Sequence, residues 1–135
     1  MTGTEATLAL RGDQDIAASR QLVRRLAQEL GFSLVDQTKL VTATSELARN
    51  TVKYGGGGEM RVEALHRERL IGIKVAFVDE GPGIPDIEQA MKDGWTTGAG
   101  LGLGLSGAKR LVNDFEIDSR VGEGTRVTIT RWRSP

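Results

Sequence analysis

The chain has 135 residues, enough for a single domain (1–135) around one hydrophobic core. Its 18 Lys and Arg balance 18 Asp and Glu, so no net field favours nucleic acid or an anionic membrane as partner. The absence of cysteine excludes disulfides, thiolate zinc sites and a cysteine nucleophile together.

No N-terminal apolar run resembles a signal peptide, and no stretch approaches the roughly 20 apolar residues of a membrane span. A cytoplasmic location is therefore expected. The lone His66 sits among charged residues in what reads as a hairpin turn and is expected to be solvated there. The 18 glycines are bunched between well-patterned segments, which points to backbone-lined loops and away from disorder.

In chain order, Thr4 to Leu10 alternates as an edge strand. Asp13 to Leu30 carries Ile16, Leu22, Val23, Leu26, Ala27 and Leu30 at helical spacing, and Gly31 ends it. Ser33 opens a second helix, with Asp36 as a weaker variant of the capping box, that runs to about Tyr54 and stops at Gly55 to Gly58. Strands follow at Met60 to Leu65 and Leu70 to Val78; the second is apolar nearly throughout and belongs deep in a sheet. A glycine-proline loop leads to a short helix near Asp86 to Met91, then to a glycine-rich stretch from Gly94 to Gly104. Leu105 to Val112 reads as a helix, Phe115 to Val121 as a strand, and Thr125 to Trp132 as a last strand after a Gly-x-Gly turn. The order β-α-α-β-β-α-α-β-β predicts an α+β two-layer sandwich, a mixed sheet with helices on one face.

The second helix has two faces. At about 100° per residue, Gln37, Val41, Thr44, Ala48 and Val52 share one side, while Glu46, Arg49, Asn50 and Lys53 fall opposite. Glu46 and Asn50 are surface neighbours at i, i+4, an arrangement that also fits an ordinary solvated face. The loop DEGPGIP, from Asp79 to Pro85, places a carboxylate at the end of a buried strand before Gly81 and Gly83. That suits a ligand held against bare backbone, and equally a tight turn capped by Asp79. In GAGLGLGL, from Gly98 to Leu105, consecutive N–H groups ahead of a helix can cradle phosphate oxygens. This run lacks the Lys-Ser/Thr ending of a P-loop and the preceding strand of a dinucleotide fingerprint.

Taken together and in this order, the four segments resemble the GHKL (Bergerat-fold) ATPase superfamily of gyrase, Hsp90, histidine kinases and MutL. The matching positions are Glu46 and Asn50; Asp79, Gly81 and Gly83; Gly98, Gly100, Gly102 and Gly104 with Leu101 and Leu103 between them; and Thr125. These 135 residues hold no dimerisation helix with a phosphoacceptor His and no transducer domain, so a complete histidine kinase or an enzyme of the gyrase kind is not expected. The stretches DIAASRQLVRRLAQELGF, DQTKLVTATSELARN, DEGPGIPDI and GLGLSGAKRLVNDF look most like the RsbT-like switch kinases, within the anti-sigma-factor kinase branch.

The resemblance implies Mg²⁺ and ATP as cofactor and co-substrate. Asp79 would accept from the adenine amine, Gly81 and Gly83 would let the base approach, and Thr125 would support the same pocket. Asn50 would hold Mg²⁺, the Gly98–Gly104 lid would cover the phosphates, and Glu46 would act as general base. Lys53 and Arg49 would contact phosphate or a partner's acidic groups. The implied acceptor is a Ser or Thr of a STAS-domain antagonist, after which the released kinase would activate another effector, such as a phosphatase. Three other readings carry over: direct binding of a sigma factor, a nucleotide-gated binding module without turnover, and an ATP hydrolase or clamp.

Overall fold

The computed structural model describes residues 5–92 and 104–134. The elements run β1 (Glu5–Leu10), α1 (Asp13–Glu29), α2 (Leu34–Lys53), β2 (Gly58–Arg67), β3 (Leu70–Asp79), α3 (Ile87–Ala90), α4 (Leu105–Arg110), β4 (Asp114–Arg120) and β5 (Gly124–Trp132). They build an α+β sandwich whose five-stranded sheet has the order β1-β2-β3-β5-β4. Its buried apolar side chains, among them Leu10, Leu47, Met60, Val75, Phe77 and Ile129, form one cluster with Val23, Leu40 and Leu105 of the helices.

The sheet, expected to be mixed, is antiparallel in all four ladders. The reason lies in where β5 inserts. The segment after β3 carries the chain back to the far end of the sheet, so β4 runs in the same direction as β3. The β4–β5 hairpin then lays β5 between them, and no parallel ladder forms. His66 is exposed as expected, but it lies in β2 opposite Ile71; the turn itself is Glu68 and Arg69, with Glu68 in the left-handed region at φ 56.

The long helix α2 buries a wider arc than its apolar spacing predicted. Leu40, Ala43, Leu47 and Thr51 are buried beside Val41, Thr44 and Ala48, while Gln37 and Val52 are only partly covered. The helix is flanked on several sides, since it packs on α1, on α4 and on the sheet. At its start the Ser33 hydroxyl accepts the Asp36 N–H at 3.1 Å, half of the expected capping box.

The Asp36 carboxylate goes elsewhere. It is 2% exposed and accepts from Arg131 Nη2 at 2.6 Å, and from the Ser134 N–H at 3.0 Å and hydroxyl at 3.1 Å. Burial alone would raise its pKa; the hydrogen bonds from Arg131 and Ser134 outweigh that and lower it to about 2. The C-terminal strand is thereby fastened to the start of α2. Among the described residues no helix is long and apolar enough to cross a membrane.

Candidate active site

The second half of α2 and the ends of β3 and β5 enclose a cavity of about 300 Å³. Its apolar lining comes from Leu47, Phe77, Ile84, Leu105 and Val127, and its polar groups from Asn50, Thr51, Asp79 and Thr125. A small apolar cleft with few convergent polar groups is what a flat heteroaromatic ligand requires. The alternation of β3 puts Asp79 on the same face as the buried Ile73, Val75 and Phe77, so a carboxylate ends an apolar row.

Asp79 is held by backbone. Its Oδ1 accepts the Gly81 N–H at 2.9 Å. Burial raises the pKa of this carboxyl, and hydrogen bonds from the backbone of Gly81 and Thr125 only partly offset it. The close packing depends on missing side chains: a Cβ on Gly55 would lie 2.5 Å from Asp79 Oδ2, and one on Gly81 would lie 2.6 Å from the Gly55 carbonyl oxygen. A Cβ on Gly83, which also lines the cavity, would lie 2.7 Å from the carbonyl carbon of Arg120.

Gly55 is thus a site residue, although its sequence context marks only the end of a helix. Gly55→Ala is expected to displace Asp79, cost about 1–3 kcal/mol by overpacking and weaken nucleotide binding, as read by thermal melts and calorimetric titration.

Glu46 and Asn50 lie one turn apart on α2, as the spacing implied. The Asn50 Nδ2 atom is buried with no hydrogen-bond partner among the described residues. A buried amide left unpaired is costly, and rotation about its last bond can present either the nitrogen or the oxygen to the cavity. The group therefore fits a site for a phosphate oxygen or a hard cation. Among the described residues no cluster of three or more His, Asp or Glu could hold a metal by itself, so a cation bound at Asn50 would need ligand oxygens and water as well.

The Glu46 side chain abuts Gly104, where a Cβ would fall 2.8 Å from Oε2, so the start of α4 sits directly on this carboxylate. Arg49 makes only a loose pair with Glu46 at 3.9 Å. Lys53 lines the cavity, yet its Nζ pairs with Asp13 at 2.7 Å and holds that exposed carboxyl below its usual pKa range. Gly98, Gly100, Leu101, Gly102 and Leu103 lie outside the described residues.

Thr125 stands opposite Asp79 in the β3–β5 ladder and opposite Ser119 in the β4–β5 ladder. Its Oγ1 is 2.8 Å from Ser119 Oγ. Ser119, Leu47, Thr51, Phe77, Ile84 and Val127 were not singled out as site residues from sequence. Leu47 and Thr51 lie beside Asn50 on α2, outside the arc that the apolar spacing marked, and Ser119 carried no signal.

A family model described as histidine kinase-, DNA gyrase B-, and HSP90-like ATPase matches residues 35–134. The chain belongs to that family. Within it, the chain is an RsbT-like member. It is 44% identical over 128 residues to the serine/threonine-protein kinase RsbT of Bacillus subtilis (strain 168), covering 95% of this chain and 96% of that one. An anti-sigma F factor of Clostridium beijerinckii is 31% identical over 122 residues, 85% of this chain and 84% of its own length. Among solved structures, the RsbU and RsbW domains of Rv1364c from Mycobacterium tuberculosis superpose with a TM-score of 0.66 at 23% identity, covering 97% of this chain and 33% of that one. The mycobacterial sensor histidine kinase MprB gives a TM-score of 0.56 at 21% identity over 97% of this chain and 99% of that one. These two structures attest the fold.

Proposed function

We propose that this chain transfers the terminal phosphate of Mg-ATP to a serine or threonine of a STAS-domain antagonist and, once released, activates a second effector such as a phosphatase. The observation that carries the reading is the meeting, at one apolar cavity, of a half-buried carboxylate (Asp79) and an unpartnered buried amide (Asn50), with a second carboxylate (Glu46) one helical turn away. The 44% identity to an RsbT that is itself named a serine/threonine-protein kinase supports it.

An ionised Asp79 can only accept hydrogen bonds, so it recognises an exocyclic amine and rejects the carbonyl that guanine carries at that position. Asn50 offers a neutral oxygen to Mg²⁺, and the bound cation would neutralise charge on the phosphates. Glu46 projects from the same helix toward the start of α4, where it accepts the proton of the attacking hydroxyl as that oxygen bonds to the γ-phosphorus and the bond to the β,γ-bridging oxygen breaks, releasing ADP. Gly98 to Gly104, with Leu101 and Leu103, close over the phosphates in this reading. Lys53 reaches them by exchanging its Asp13 partner for phosphate oxygen, and Arg49 faces phosphate or an acidic group of the acceptor.

The test is transfer of γ-labelled phosphate from Mg-ATP to a purified STAS-domain protein encoded beside this chain. Wild type is expected to label a Ser or Thr, and Glu46→Ala to slow transfer by about 10²–10⁴-fold while still binding ATP. An unchanged transfer rate in Glu46→Ala would remove the general-base role. ATP binding without transfer would favour the second reading, a nucleotide-dependent binder of a sigma factor, which the 31% identity to an anti-sigma F factor supports.

A further inference from the structure

The row Asp79–Thr125–Ser119 crosses three adjacent strands in one register, and its last member has no part in the chemistry described so far. Ser119 Oγ accepts the Ile84 N–H at 2.7 Å, which ties the loop after Asp79 to β4. Its single hydrogen has two acceptors within reach, Thr125 Oγ1 at 2.8 Å and the Gly124 carbonyl oxygen at 3.2 Å. The former distance is the usual one for O–H···O and the latter is long.

The direction of the Ser119–Thr125 bond decides what the cavity presents. If Ser119 donates, the Thr125 hydrogen is left to point at a ligand; if Thr125 donates to Ser119, the side chains of Asp79 and Thr125 offer a ligand acceptors alone. The adenine edge carries its amine next to the ring nitrogen N1, a donor beside an acceptor. Its complement is Asp79 as acceptor beside a hydroxyl donor. On the reading that this cavity binds ATP, we infer that Ser119 is a positioning residue: it turns the Thr125 hydroxyl into the donor that reads N1, while anchoring the Asp79 loop through Ile84.

The experiment compares binding of ATP and of 1-deaza-ATP, in which N1 is replaced by CH, to wild type, Ser119→Ala, Ser119→Thr, Thr125→Ala and the Ser119→Ala/Thr125→Ala pair. One hydrogen bond of ordinary strength corresponds to roughly tenfold in affinity. Wild type is expected to prefer ATP by about that factor. Ser119→Ala, which leaves the Thr125 hydroxyl free to rotate, should lose several-fold for ATP and little for 1-deaza-ATP, so that the preference shrinks. Ser119→Thr should restore it, and the paired variant should bind ATP no worse than Thr125→Ala alone, because both substitutions break one relay. A Ser119→Ala protein that keeps the wild-type preference, or weakens equally for both nucleotides as a loosened loop would, overturns the inference and leaves the ATP site standing. Wild type that binds no ATP overturns both.

Discussion

Asp79→Asn is expected to lower ATP affinity by roughly a hundredfold while changing the stability of the nucleotide-free fold little. The loss follows from geometry. Asp79 Oδ1 is already engaged by the Gly81 N–H, so an asparagine retaining that bond would turn its NH₂ toward the adenine amine, donor against donor. A hydrogen bond to a charged acceptor contributes about 1.5–3 kcal/mol, and the mismatch adds to its loss. The stability follows from protonation. Burial raises the Asp79 pKa from its ordinary 3.8, so the folded chain binds this proton more tightly than the unfolded one. The contribution of Asp79 to stability therefore falls as pH rises from 3.8 through the raised value, and stays at that lower level above it. A neutral asparagine escapes that cost, which offsets the Thr125 backbone hydrogen bond that it gives up. For the same reason, ATP affinity of wild type should fall as pH drops through the raised pKa, because a protonated Asp79 offers the amine a weaker acceptor. Calorimetric titration and melting curves on both proteins decide the matter; an asparagine variant that binds ATP like wild type would refute the assigned role.

Asp36→Ala should do the reverse, costing stability and sparing the site. The substitution leaves Arg131 mostly buried without its counter-charge and removes the acceptor of both Ser134 bonds. Breaking a buried pair from one side typically costs about 3–5 kcal/mol, which for a domain of this size lowers Tm by roughly 10–20 °C. Replacing both partners, Asp36→Leu with Arg131→Met, should recover much of that loss, since no lone charge remains. Nucleotide affinity of the folded protein should hardly change, because Asp36 and Asn50 lie about 20 Å apart along α2. The pH dependence has the opposite sign to that of Asp79. With a folded pKa of about 2 against an ordinary 3.8, Asp36 contributes its full stabilisation, on the order of 2 kcal/mol, above pH 3.8 and loses it as pH falls toward 2. Acid melts of wild type should show that loss, and the double variant should lack it.

What the chain alone determined is its local grammar. The apolar spacing of Ile16, Val23 and Ala27 marked α1, the run from Leu70 to Val78 marked the central strand β3, and the bunched glycines marked the loops, because these signals act within a few residues of one another. The placement of Glu46 and Asn50 one turn apart was legible for the same reason, as was Asp79 at the end of a buried strand. The tertiary structure decided everything that depends on where distant segments return. Asp36 looked like half of a capping box until Arg131, 95 residues later, came to lie beside it. Gly55 looked like a helix stop until β3 brought Asp79 against it, leaving no room for a Cβ. Lys53 faced the expected side of α2 but found Asp13 there, and Ser119 acquired its place only when β5 settled between β3 and β4. Side-chain periodicity fixes which face of an element is apolar, whereas the pairing of polar groups across the fold is set by chain path and strand register, which no local pattern encodes.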